Sequence, residues 1–522
     1  MKFLNTGISM VSAAVRLCVA STALGLAGSA GAAAADTARV IVSFKPGMAA
    51  NAMAALSAAR GSVKLQLPDF NAVAVEVPAA ALRALQNNPN FALVEEDVKR
   101  YPLALSSASK KPYLDGQLVP YGIALVQADQ LPDTNAGNRM VCIIDSGYDR
   151  AHEDLAANPA EGIYDRGTGW WYTDENHHGT HVAGTIAAIN NSGTGVVGVT
   201  SSSRLRLRIV KVFSAEGWAY SSTLAAAATQ CGDAGANVIS MSLGGARPSR
   251  VEMLAFERLQ AKGVLSVAAA GNDGTSAIIF PAGYSNVLMV GALDQNKAWA
   301  PFSQYNSKVE LAAPGVGVLS TVPMGAGTEA SLKVGVKAYA PGAMEGSPKI
   351  SASAPLADFG IGDKVNASVA GKVCLIARGA IDFATKVSNC QHSGGLGAVV
   401  YNNVAGSFGG TLGATVTLIP SVSASDAEGA AMKAQLGQVA TVAVKATNYA
   451  YYDGTSMATP HVSAVAALVW SYFPSCTGIQ MRASLTKSAL DLGVPGRDDK
   501  YGYGLVQAKA AYDRIKIFGC GN

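Results

Sequence analysis

From about residue 119 to residue 325 the chain repeats one arrangement: a short continuous apolar run, a segment of helical length, then another apolar run. "RMVCIIDSG", "LRLRIVKVF", "NVISMSL", "VLSVAAAGN" and "VLMVGAL" are the apolar runs, and "HVAGTIAAI", "SSTLAAAATQCGDAG" and "SRVEMLAFERLQAKG" are the helical segments. Strands with no polar face must be covered on both sides, and helices between them supply the cover while returning the chain to start a parallel neighbour. The pattern predicts an α/β domain with a doubly wound, mostly parallel sheet. Functional side chains are then expected just beyond the carboxyl ends of its strands.

A second feature belongs to the same core. In "DGTSMATPHVSAVAALVW", Val462, Val465, Ala466, Leu468 and Val469, with Tyr472 beyond, leave almost no polar face, and no charged residue lies between Asp453 and Arg482. A helix of this composition is buried on most sides. Pro460 fits only near a helix start, where its missing N–H has no intrahelical partner to lose, so Ser456 is expected at or just before the first turn. Two readings of it stand. Thr455 or Ser456 is an N-cap, or Ser456 is a nucleophile at a helix N-terminus, where free N–H groups favour developing negative charge. The second requires a base and an orienting acid elsewhere.

The chain's 522 residues exceed one ordinary core. Residues 326–446 are rich in Gly, Ala, Ser and Val, with strand-like runs "GKVCLIARG", "LGAVVYNN" and "IPSVSASDAEG". They read as an inserted β-rich domain, because the buried helix and a closing "GYGLVQAKAAYDRI" helix follow them. The α/β domain is then split into residues 113–325 and 447–522. Before it, residues 36–112 hold a small α+β unit and a linker. "ARVIVSFKPG", "NAVAVEVP" and "FALVEEDVKRYPL" read as strands, "MAANAMAALSAARG" and "AALRALQNNP" as helices, and the polar, aperiodic "ALSSASKKPYLDGQ" as a linker and cleavage zone.

Residues 1–35 have the build of a secretory signal peptide: Lys2 and Arg16, an apolar alanine-rich stretch, and small residues before Asp36. The apolar run is broken by Arg16 and too short for a membrane span, and the arginine in "VRLC" argues against lipid attachment at Cys18. The mature protein is expected to be secreted and soluble. A formal charge of +4 over this length points to neither nucleic acid nor an anionic membrane. Six cysteines remain after the leader, and an oxidising compartment permits disulfides. Proximity in sequence pairs Cys374 with Cys390 and Cys476 with Cys520, leaving Cys142 and Cys231 as a third pair or as buried free thiols.

Three short motifs meet the demand that Ser456 makes. In "VCIIDSGYD", Asp145 closes an apolar strand; in "NHHGTHVAGT", His178 opens a helix, with His181 three residues on as a packed helix residue; the third is "GTSMATPHV" around Ser456. An imidazole between a buried carboxylate and a serine hydroxyl is what nucleophilic acyl transfer needs. In the order Asp, His, Ser, "IIDSG", "HGTHVAGT" and "GTSMATPHV" make the chain resemble a secreted member of the subtilisin-like (subtilase) serine protease family.

That resemblance implies Asp145 as orienter, His178 as general base and acid, and Ser456 as nucleophile, over roughly 115–325 and 447–522. Asn272 in "VAAAGNDG" matches the family's oxyanion-hole asparagine. Ser242, Leu243 and Gly244 match the edge segment that pairs with substrate backbone, and with Ala269 and Gly271 they wall the pocket for the side chain before the scissile bond. No charge lines these segments, so large apolar side chains are expected there. The family's structural Ca²⁺ site finds counterparts in Gln117, Asp154 and Asn191, with carbonyls near Ile189, Thr194 and Val196. Residues 36–112 resemble the inhibitory propeptide, and 326–446 resemble a protease-associated (PA) domain.

The resemblance thus implies a secreted endopeptidase made as a zymogen, acting as a monomer on proteins or peptides, with its own propeptide as intramolecular inhibitor and no nucleic acid or membrane partner. A catalytically silent, protein-binding use of the same scaffold is the alternative, opposed by the intact Asp145, His178, Asn272 and Ser456. A serine esterase is a third reading, but "GTSMA" is not a G-x-S-x-G elbow.

Overall fold

The computed structural model describes residues 37–103, 105–106, 117–191, 193, 195–406, 408–413 and 415–522. The expected signal peptide, most of the linker and Thr194 lie outside the described residues.

Seven parallel strands form the central sheet, in the spatial order Val309–Pro314, Val287–Leu293, Leu265–Ala269, Val238–Met241, Met140–Asp145, Arg206–Lys211 and Ala160–Gly162. Chain order reverses between Met140–Asp145 and its two neighbours, which opens a crevice beyond the carboxyl ends of the central strands. Each face has its own apolar core. One gathers Val182, Ile186, Val462, Val465, Leu468 and Val469 from two helices, His178–Ala187 and Thr455–Tyr472, against the sheet. The other packs Leu224, Ala228, Phe256 and Leu259, from helices Ser221–Asp233 and Arg250–Ala261, against Cys142, Ile144 and Ile239.

In the helix Thr455–Tyr472 every residue but Tyr472 is buried. Its N-cap is Gly454, so neither Thr455 nor Ser456 is the cap, and Pro460 lies in the second turn rather than the first. The carbonyl that Pro460 cannot bond, that of Ser456, accepts the Ser242 hydroxyl at 2.7 Å instead, which offsets the loss a mid-helix proline imposes. The closing helix runs Ala508–Phe518. The "GYGLVQ" part assigned to it is not helical, because Leu505 bridges to Ala312 and Leu490.

At the N-terminus, strands Thr37–Phe44, Ala72–Pro78, Phe91–Glu96 and Ser62–Leu67 form an antiparallel sheet. The last of these was not expected from the sequence. Ile41, Leu67 and Ala72 pack directly on Ala225, Val251 and Ala255 of the helices Ser221–Asp233 and Arg250–Ala261. The single strand expected over "FALVEEDVKRYPL" is two. Phe91–Glu96 stays in the small sheet, and Lys99–Pro102 leaves it to pair with Ala219–Tyr220 and Leu243–Gly244. The break falls where Asp97 turns to accept Ser222 N–H at 2.9 Å and the Ser222 hydroxyl at 2.6 Å, at the start of the helix Ser221–Asp233.

The later domain has an eight-stranded sheet with Lys337–Tyr339 and Gly342–Ala343 at its edges; its first and last strands in the chain, Gly327–Val334 and Val439–Thr447, pair with each other, and helices Phe383–His392 and Asp426–Lys433 accompany it. It leaves and re-enters through one antiparallel hairpin: Val318–Thr321 pairs with Tyr449–Asp453, and Val322 N–H donates to the Asn448 carbonyl at 2.8 Å. Cys374–Cys390 and Cys476–Cys520 form as paired above, and Cys142–Cys231, left open there between a pair and free thiols, is a disulfide too. Among the described residues no helix is long and apolar enough to cross a membrane.

Candidate functional site

Asp145 closes the central strand Met140–Asp145 and His178 opens the helix His178–Ala187; both are buried. Their Oδ1 and Nδ1 atoms are 2.7 Å apart, which fixes the imidazole with Nε2 directed away from the carboxylate, and that Nε2 is buried without a hydrogen-bond partner. Burial is the largest influence on His178 and opposes its charge. The charge and hydrogen bond of Asp145, aided by Asp174, together outweigh it and hold His178 above its ordinary value. Asp174 also braces the loop, accepting the Ser146 hydroxyl at 2.7 Å and the Thr180 N–H at 2.8 Å. His181 behaves as a packed residue: it stacks on Tyr452, and burial pushes it down to about 3.

Ser456 is the second residue of its helix, where a backbone N–H has no intrahelical acceptor. Its hydroxyl donates to the Ser242 carbonyl at 3.0 Å. The helix bearing it packs against the helix of His178, and Ser242, like Asp145, stands at the carboxyl end of one of two neighbouring strands, so imidazole and hydroxyl lie at the same end of the sheet. Asn272 follows the strand Leu265–Ala269. Its Oδ1 accepts the Thr455 N–H at 2.9 Å and the Thr455 hydroxyl at 2.8 Å, while Gly271 N–H donates to that hydroxyl at 3.1 Å. With the oxygen held, the NH₂ must face the cleft, where it donates to the Leu103 carbonyl at 2.9 Å.

The strand that fills the cleft comes from the chain's own N-terminal part. Leu103 N–H donates to the Ser242 carbonyl at 3.2 Å, Pro102 stands opposite Leu243, and Tyr101 opposite Gly244. A Cβ on Gly244 would come within 3.3 Å of a Leu103 methyl, so the predicted edge segment and the wall of the pocket meet the same leucine. Further along, Leu105–Ser106 pairs with Asp453 and Tyr452. Strands thus pair with the chain on both sides of the carbonyl that Asn272 binds, Lys99–Pro102 before it and Leu105–Ser106 after it. Ala269 is buried in its strand and Gly271 is backed by Gln304, whose side chain fills the space a Cβ would need.

Five of the six predicted cation ligands also converge. Asp154 accepts the Asn191 amide at 2.8 Å and Val196 N–H at 2.8 Å, and the Gln117 amide donates to the carbonyls of Ile189 at 2.8 Å and Val196 at 3.3 Å. Asn191 Oδ1 is buried without a partner. Turning the two side-chain amides over would bring a carboxylate, two amide oxygens and two carbonyls together, a set of hard oxygens suited to Ca²⁺. Among the described residues no three His, Cys, Asp or Glu side chains gather as a metal-holding group.

Sequence reading missed Thr455, Asp174, Leu103 and the hydroxyl of Ser242. Thr455 sits in the serine motif, but nothing in a linear sequence says that it orients an amide 183 positions away.

Known proteins share this architecture. The profile described as the subtilase family matches residues 137–357 and 395–504, and that of the PA domain matches 340–432. The chain is 35% identical over 297 residues to subtilisin E of Bacillus subtilis (strain 168), covering 55% of this chain and 74% of that protein. It is 38% identical over 254 residues to M-protease of Shouchella clausii (strain KSM-K16), covering 48% and 62%. Among solved structures, the psychrophilic subtilisin-like protease Apa1 from the Antarctic psychrotroph Pseudoalteromonas sp. AS-11 superposes with a TM-score of 0.61 at 42% identity, over 78% of this chain and 100% of that one. Fervidolysin of Fervidobacterium pennivorans shares the fold at a TM-score of 0.59 and 24% identity, over 92% and 61%.

Proposed function

The chain belongs to the subtilase family and is a serine endopeptidase, and from that premise we propose that it is a secreted zymogen that cuts its own chain after Leu103. Ser456 attacks the carbonyl carbon, His178 takes the hydroxyl proton and returns it to the leaving amine, and Asp145 fixes the His178 tautomer and stabilises the imidazolium. The Ser456 hydroxyl must first turn from the Ser242 carbonyl toward Nε2. Asn272 and the backbone N–H of Ser456 bind the oxygen as it becomes an oxyanion.

The observation that carries this reading is the Leu103 carbonyl on the Asn272 amide, in a strand paired as a substrate would be. Residues 36–103 then act as inhibitor after the cut, held by the strand Lys99–Pro102, by Asp97 on one helix start and by Glu95, which accepts Arg250 N–H at 2.8 Å, on the next. Leu103 beside Gly244 supports a preference for large apolar side chains before the cut. N-terminal sequencing of the secreted protein tests the assignment: the expected first residue is Ala104, or a later one if trimming follows, accompanied by a released fragment ending in Leu103. A fragment ending elsewhere would overturn it.

Because His178 works as a base only when neutral, activity is lost as pH falls through its raised value. The acid limb of kcat/KM should therefore have its midpoint above the usual imidazole value of about 6.5. A midpoint below that would contradict the dominance of Asp145.

Ca²⁺ is proposed at Gln117, Asp154, Ile189, Asn191, Thr194 and Val196, where it would brace the loop after the His178 helix. A ligand bound only by the folded state at 100 times its Kd contributes about 2.7 kcal/mol. EDTA should lower the melting temperature by several degrees, and added Ca²⁺ should restore it more effectively than Mg²⁺. No change with EDTA would remove the metal from this site.

A further inference from the structure

Arg100, in the strand that must leave the cleft after cleavage, is fully buried. Its Nε donates to Glu252 Oε1 at 2.9 Å and its Nη2 to Oε2, the two-pronged match of guanidinium and carboxylate. Glu252 has no exposed surface. It is held from behind by the Tyr284 hydroxyl, which donates to Oε2 at 2.6 Å and accepts Ser249 N–H at 2.7 Å. The pocket also depends on a missing side chain: a Cβ on Gly245 would stand 2.5 Å from the Lys99 carbonyl and 3.2 Å from Arg100 Nη1.

Counting back from the bond after Leu103, Arg100 is the fourth residue, with Tyr101 and Pro102 between them. Tyr101 is exposed and Leu103 half-buried, so the arginine, three residues upstream of the leucine next to the bond, is the side chain this strand seats most deeply. Apart from the neighbouring Lys99 carbonyl, which accepts from Nη1 at 3.1 Å and leaves with the strand, the groups around the arginine, Glu252, Tyr284, Ser249 and Gly245, belong to the peptidase domain and stay when the prosegment departs. A carboxylate buried at the end of such a pocket is poorly served by an apolar side chain, which would leave its charge unpaired, and a lysine cannot match both oxygens.

We infer that Glu252 is a specificity-determining residue of the processed enzyme, selecting substrates that carry arginine three residues upstream of the residue whose carbonyl is attacked. The inference rests on the reading above that residues 99–103 lie as a substrate does.

Four coumarin-amide peptides test it on the secreted, self-processed enzyme: acetyl-Arg-Tyr-Pro-Leu, and the same peptide with citrulline, lysine or norleucine in place of arginine. Citrulline keeps the shape of arginine and removes its charge. The expected kcat/KM for arginine exceeds that for citrulline by roughly 10- to 100-fold, the range for losing a hydrogen-bonded charge from a buried site. Lysine should fall between arginine and norleucine, and Glu252→Gln should bring the arginine-to-citrulline ratio toward one. Should that variant fail to fold, the wild-type ratio decides alone. Equal hydrolysis of the arginine and citrulline peptides would overturn this inference only, leaving Arg100 as a clamp of the zymogen. Absence of hydrolysis with all four would overturn the cleavage assignment as well.

Discussion

Ser456→Ala should accumulate as a single chain that never yields a fragment ending in Leu103, and its hydrolysis of casein-like substrates should fall by about 10⁶-fold, a magnitude drawn from removal of the nucleophile in this same family. The substitution takes away one oxygen in a fully buried position at the second residue of a helix whose packing lies elsewhere. Folding is therefore expected to survive while the chemistry does not. The strand Lys99–Pro102 and the Leu103 carbonyl would remain seated, so the variant should be a stable, uncut, self-inhibited molecule. Intact mass measurement and N-terminal sequencing check this directly. Release of the same fragment from a purified Ser456→Ala chain, free of wild-type enzyme, would sink the assignment of Ser456.

Asn272→Leu is the second large effect. Leucine is close to asparagine in size but cannot donate to an oxyanion, and a loss of about 10²–10³ in kcat with little change in KM is expected, again a magnitude taken from this family. The structure adds a reason for the size of the effect. Thr455 holds the amide oxygen through both its N–H and its hydroxyl, so the donor is aimed before substrate arrives and costs no reorganisation when charge develops. Losing it should slow self-processing as well as hydrolysis in trans. A KM effect with kcat intact would mean that Asn272 binds ground-state substrate instead.

Much of this fold was legible in sequence because its signals were periodic or local. The strand Val287–Leu293 coincides with the apolar run that announced it, and the helices of His178 and Ser456 stand where their motifs placed them. Local signals failed where partners lie far along the chain. "FALVEEDVKRYPL" looks like one strand because its apolar residues continue; it becomes two because the Asp97 carboxylate is worth more on the start of the helix Ser221–Asp233 than in a sheet. Pro460 was expected in the first turn because proline removes a donor, and it stands in the second because Ser242, 214 positions earlier than Ser456, supplies a replacement. Glu252 gave no signal at all: an acidic residue near a helix start reads as a favourable charge for the dipole, and only the folded chain brings Arg100 to it.

The later domain enters and leaves on residues already bonded to each other, Val322 and Asn448. A tether whose ends are fixed side by side adds little closing entropy whatever it carries, since each doubling of length costs only about 0.6 kcal/mol. The strand Tyr449–Asp453 returns from that domain, lies against Leu105–Ser106, and runs into Gly454 and the helix of Ser456. One strand thus joins three things: the stalk of the later domain, the pairing partner of Leu105–Ser106, and the mount of the hydroxyl. Only Gly454 separates the strand returning from that domain from the helix that carries the hydroxyl, so the domain's attachment and the site share one segment of backbone.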